Sequence, residues 1–138
     1  MYQQIIKIYP FYKDSWIIVN SKIAEKHIDR SSFIYGQTGI PKDIAYFFHA
    51  DNLKPGEKIK VYLSFKGKLY EGEITMDINE RIKLSWWKEL RNEINSKLEF
   101  CSKYFIDDNC ATDEIQDRPF IRFIRIREDT YKIEFIIR

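Results

Sequence analysis

Cys101 and Cys110 are the chain's only thiols, and His27 and His49 its only imidazoles. Scattered in this way they form neither a disulfide framework nor the paired spacing of a structural zinc site. Cys101 falls on the apolar face of a predicted helix, where a thiol behaves as a small hydrophobe. Cys110 lies among carboxylates, surroundings that disfavour a thiolate. No Asp or Glu stands two residues before a Lys, so the acidic-x-Lys element that holds metal in many nucleases is missing. His27 and His49 are followed two residues on by Asp29 and Asp51, not by the Lys that phospholipase-D-type cleavage requires. There is no phosphate-cradling glycine loop, no G-x-S-x-G elbow and no Cys-x-x-Cys. Asp107, Asp108, Asp113, Glu114 and Asp117 crowd one stretch, but without the glycine punctuation of a calcium loop they read as a solvated segment. The chain is therefore expected not to be an enzyme, with no metal and no cofactor.

Hydrophobic periodicity supplies the elements. Ile5–Tyr9 and Ser15–Val19 read as strands, and Ile23, Ala24, His27 and Ile28 share one side of a short helix over 21–28. Ile44, Phe47 and Phe48 recur at helical spacing behind Pro41, which predicts a short amphipathic helix over 41–49. Pro55-Gly56 marks a turn, and Lys66-Gly67 closes a tight hairpin between the alternating runs 59–65 and 69–74. Residues 81–84 alternate as a strand. Ser85 then suits the N-cap of a helix from Trp86 to about residue 104, with Trp87, Leu90, Ile94, Leu98 and Cys101 on its apolar face. Residues 105–117 are the acidic loop, and 119–137 form a closing hairpin with a bulge at Phe123-Ile124. The sum is a mainly β (α+β) chain: about seven strands in an open antiparallel β-barrel, a pseudobarrel, with two flanking helices.

Length and composition agree. The 138 residues suit one domain, 44% are hydrophobic, 16% aromatic and 32% charged, which excludes disorder and low complexity. No signal-peptide start or membrane-length apolar run appears, so a cytoplasmic protein with no membrane partner is expected. The net charge of +2 and pI near 8.4 are bland, but the charge is segregated. The acidic loop is followed at once by Arg118, Arg122, Arg125 and Arg127, which can be that loop's partners or a contact for DNA flanks.

One stretch carries a resemblance. Tyr35-Gly36-Gln37-Thr38-Gly39-Ile40-Pro41-Lys42 running into Ile44-Ala45-Tyr46-Phe47-Phe48 resembles the Gly-rich arm, apolar-Pro-Lys element and short aromatic-ended helix of B-three-type DNA-binding pseudobarrels. These occur in plant transcription factors and in EcoRII-type effector (specificity) domains of bacterial restriction endonucleases. Leu53-Lys54-Pro55-Gly56-Glu57 with the hairpin behind it is similar to the family's central hairpin, and Arg81 to Trp87 to the strand entering its second helix. The long second helix, the acidic loop and the lengthened first arm depart from the pattern.

The resemblance implies two arms that enter the major groove, at 29–38 and 75–83 by position. Arg30, Arg81 and Lys83 then suit guanine or phosphate, Gln37 and Asn79 adenine, and Asp77 and Glu80 the cytosine amino group. Ser31, Ser32, Thr38 and Thr75 add short hydroxyl contacts, with Tyr35 beside them, and Lys42 is placed to hold phosphate. The resulting expectation is a single domain over 1–138, the N-terminal part of a longer protein. It would bind specific double-stranded DNA as the target-recognition domain of a bacterial restriction system. A nuclease or nucleotide-driven motor domain would lie in the same or a partner chain. Two alternatives stand: a reader of methylated or flipped bases using Tyr35, Trp86 and Trp87, and a protein-interaction or phage inhibitor domain.

Overall fold

The computed structural model describes residues 8–28, 35–97 and 120–136. They hold nine strands: β1 (Phe11–Lys13), β2 (Trp16–Ile18), β3 (Ile23–His27), β4 (Gln37–Ile40), β5 (Lys58–Phe65), β6 (Lys68–Met76), β7 (Ile82–Trp86), β8 (Phe120–Arg127) and β9 (Thr130–Ile136). A 3-10 helix spans Lys42–Phe48, and an α-helix, α1, spans Lys88–Lys97. All the strands join one sheet in the order β1-β2-β3-β8-β9-β5-β6-β7-β4. The mainly β class with two helices is as expected, but the strands number nine rather than seven. Nor is the sheet wholly antiparallel. Tyr62, Leu63 and Ser64 of β5 run parallel to Thr130, Tyr131 and Lys132 of β9.

Part of the difference is β3, in the place of the helix predicted over 21–28. Asn20 Oδ1 accepts from the backbone N–H groups of Lys22 and Ile23 at 2.8 and 3.0 Å, a turn that launches an extended chain. β3 then pairs with β2 on one side and β8 on the other. A segment with a ladder on both flanks satisfies its backbone without helical bonds, and tertiary pairing outweighs a weak local period.

The hairpins follow their turn residues. Lys66 and Gly67 both have positive φ, 53° and 76°, the pair of left-handed residues that matches strand twist in a two-residue turn. Ser85 caps no helix; it stays in β7 between Gln37 and Glu73, and α1 begins only at Lys88. The predicted reach of that helix to residue 104, the acidic loop and most of the first predicted strand fall outside the described residues, while Ile8 and Tyr9 are in no strand. The bulge expected at Phe123-Ile124 comes at the ladder's end, between Arg125 and Arg127.

The 3-10 helix plugs the curled sheet. Pro41 stands just before it in extended conformation, and its carbonyl accepts from Ile44 N at 3.0 Å. Ile44, Ala45, Phe47 and Phe48 are buried. Phe48 meets Trp16, Phe47, Phe123 and Tyr131 at centroid distances of 5.6, 4.9, 5.5 and 5.1 Å, mostly edge to face, the favoured geometry of aromatic quadrupoles. Arg125 ties helix to sheet: its guanidinium lies over the Phe47 ring and donates to the carbonyls of Phe47 and Ser21. The two ends of the sheet also meet. Trp16 Nε1, from the β2 end, donates to Gly39 O of edge strand β4 at 3.0 Å, so a seam closes the half-barrel without a strand ladder.

Candidate nucleic-acid interface

Strand register decides which predicted residues share a face. Gly39 stands opposite Lys83, Lys83 opposite Thr75, and Thr75 opposite Lys58. Directly paired residues point to the same side of a sheet. Gln37, Ser85 and Glu73 form the adjoining row on that side. The intervening rows, Thr38 with Leu84 and Ile74, and Ile40 with Ile82 and Met76, are buried against the core. One outer face of β4–β7–β6 thus gathers Gln37, Thr75 and Lys83.

Beyond it protrudes the β6–β7 turn, 77–81. Asp77 Oδ1 accepts from the N–H groups of Asn79 and Arg81 at 2.8 and 2.9 Å, and Asp77 N donates to Arg81 O at 3.0 Å. Glu80 N donates to Asp77 O, and Glu80 adopts the left-handed φ of 61°. The Asp77 carboxylate is committed to the turn's own backbone rather than to a partner outside. The Glu80 carboxylate is likewise engaged, with Lys42 Nζ at 3.1 Å, a pair exposed on both sides. Asn79 and Arg81 are exposed, and their side chains make no hydrogen bond or ion pair among the described residues.

The first arm divides. Arg30, Ser31 and Ser32 lie outside the described residues. Thr38 is 1% exposed and faces the core, so its hydroxyl cannot reach a groove edge. Gln37 is half-buried on the outer face, and Tyr35 is 59% exposed. Of the three aromatics proposed for a base pocket, Trp86 is buried under Gly36 while Tyr35 and Trp87 are exposed, so the three do not line one open surface. Gly36 is required there: its φ is +65°, and a Cβ would lie 2.9 Å from Trp86 O.

The arm turn also walls a groove of about 460 Å³ over the seam, lined by Asp14, Trp16, Lys26, Lys42, Glu80 and Arg81 among others. Lys26 is 3% exposed and donates to His27 O at 3.3 Å. Lys13 pairs with Asp43 at 3.1 Å nearby, and the Asp43 hydrogen bond and charge raise the pKa of that ammonium. In the basic row of β8, Arg122 and Arg125 are employed elsewhere, while Arg127 is exposed at the end of the strand. Arg122 pairs with the buried Glu25 at 2.8 Å, Arg125 clamps the 3-10 helix, and Arg118 lies outside the described residues.

Two residues of this surface escaped the sequence reading, Lys58 and Ile78. Lys58 was findable, because equal steps back from the Lys66-Gly67 turn place it opposite Thr75. Ile78 offered no periodic signal, since it belongs to neither strand.

No family model matches the chain, and no curated protein matches it. A solved domain shares its fold. The N-terminal domain of Helicobacter pylori LlaJI.R1 superposes with a TM-score of 0.54 at 16% identity, over 83% of this chain and 80% of that one. Among the described residues no helix is long and apolar enough to cross a membrane, and no cluster of His, Cys, Asp or Glu is arranged to hold a metal.

Proposed function

We propose that this chain is a sequence-specific double-stranded DNA-binding domain that serves target recognition in a bacterial restriction system. In this reading it inserts the 75–83 arm, and with it the strand carrying Gln37, into the major groove. The observation that carries the reading is the uncommitted set Gln37, Asn79, Arg81 and Lys83 on one outer face and its protruding turn. An amide pairs with adenine N6/N7, a guanidinium with guanine O6/N7, and an ammonium with phosphate or guanine. The fold supports it, being shared with a domain of a restriction-system protein. Lys58 and Lys83 flank Thr75 in one row and supply positive charge beside the turn. Farther along the face Lys60 stands opposite Glu73 and pairs with Glu71 at 3.7 Å, so the uncompensated positive charge lies at the turn end. Arg122 and Arg125 of β8, each committed to a partner within the domain, have no part in the interface. Catalysis or nucleotide-driven motion belongs to another domain or chain.

The test is binding to random duplex DNA across a salt titration, followed by selection of bound sites from a random pool. Affinity that falls with log salt, and a pool that converges on one motif, are expected. Salt-independent binding, or none, refutes the proposal.

A further inference from the structure

Ile78 is the most exposed large hydrophobic side chain among the described residues, at 87%. Single exposed apolar residues are ordinary on protein surfaces. This one differs in how it is held. It sits at the apex of the 77–81 turn, whose backbone is fixed from both ends by Asp77 and holds the residue away from the sheet. Its β-branched side chain has few rotamers, so little freedom is lost when it meets a surface. Its neighbours are the uncommitted amide of Asn79 and guanidinium of Arg81.

A stiff apolar group beside an amide and a guanidinium has a natural complement. The major-groove edge of an A·T pair offers adenine N7 and N6 to an amide and the thymine C5-methyl to an apolar group, and a neighbouring guanine offers O6 and N7 to a guanidinium. We infer that Ile78 is a specificity-determining residue that contacts the 5-methyl group of a pyrimidine, next to bases read by Asn79 and Arg81. This rests on the DNA-binding reading above and names what its arm selects. The shared chemistry is a 5-methylpyrimidine, which is thymine in unmodified DNA and 5-methylcytosine in methylated DNA.

The experiment uses the full chain and the duplex recovered from the random pool. Each thymine is replaced in turn by deoxyuridine, which removes one methyl group and nothing else, and each cytosine in turn by 5-methyldeoxycytidine. Thymine reading predicts one position where deoxyuridine weakens wild-type binding about three- to fivefold, the scale of one buried methyl group. Ile78→Ala should lose affinity to a similar extent and become blind to that replacement, while Ile78→Val keeps most of the discrimination. Methylcytosine reading predicts instead a single position where 5-methyldeoxycytidine strengthens binding, again abolished by Ile78→Ala. The inference is overturned if neither replacement changes binding, or if Ile78→Ala discriminates as the wild type does. Specific binding with no methyl sensitivity overturns this inference alone, whereas absence of duplex binding overturns the functional proposal with it. Unfolding midpoints of the variants should match the wild type, since most of the side chain lies in solvent.

Discussion

Replacing Arg122 by alanine asks whether the basic row of β8 is structural. Arg122 Nε and Nη2 both reach Glu25 Oε2 at 2.8 Å, and Nη1 lies 3.7 Å from Glu134 Oε2. The Glu25 side chain is 1% exposed, whereas Glu134 is 37% exposed. The outer pair is screened by water and contributes less than about 1 kcal/mol. The inner one is different: truncating one member of a buried pair leaves the other charge desolvated, at a cost of about 3–5 kcal/mol. Arg122→Ala should therefore lower the denaturant midpoint at constant m-value, and lower Tm by about 10–20 °C. Much of that cost comes from keeping the carboxylate buried without Arg122 rather than from the worth of the pair. The double variant Glu25→Leu/Arg122→Met should accordingly recover to within about 1 kcal/mol of the wild type. DNA binding by the folded fraction should keep its salt slope. If Arg122→Ala unfolds at the wild-type midpoint and instead flattens the salt dependence, β8 belongs to the interface and the assignment above is wrong.

Other consequences are open to direct measurement. Arg81→Ala should relax base preference at one position of the selected site by about 1–3 kcal/mol, while Lys83→Ala weakens all duplexes alike and lowers the salt slope by about one; selection from a random pool and a salt titration separate the two. Gly36→Ala should destabilise by at least about 1 kcal/mol, because the left-handed φ disfavours a Cβ and Trp86 O stands 2.9 Å from where it would lie, whereas Gly39→Ala, with nothing within 4 Å, should unfold like the wild type. Tyr131 is held neutral by burial, which pushes its pKa up to about 12 from 10.0. Its stabilising contribution is complete below pH 10 and is lost as the pH climbs through about 12, so its phenolate absorbance should emerge only at that alkaline limit or together with unfolding.

What the sequence disclosed was what local chemistry dictates. Lys66-Gly67 announces a hairpin because two left-handed residues in succession favour few other structures, and Val61, Leu63 and Phe65 alternate because one face of β5 is core. The closing hairpin was legible for the same reason. β3 was not, because its buried residues Ala24, Glu25 and Lys26 are consecutive and show neither period. Its conformation is set by pairing with β8, whose Arg122 lies 97 residues along the chain from Glu25. The site divides likewise. Residue types marked Gln37, Asn79, Arg81 and Lys83, but no single-chain pattern shows that Thr38 turns inward or that Asp77 and Glu80 have partners. Those facts depend on strand phase and on the turn's own hydrogen bonds.

The 77–81 turn also bears on how such a domain changes over generations. Its shape is maintained by the Asp77 carboxylate and by main-chain groups that every amino acid except proline possesses. Codons 78 and 79 can therefore drift without loosening the loop, because neither side chain supports it. The most permissive substitutions therefore lie at the apex, on the surface that the proposed function would present to DNA. Selection would act there on what is bound and hardly at all on whether the protein folds.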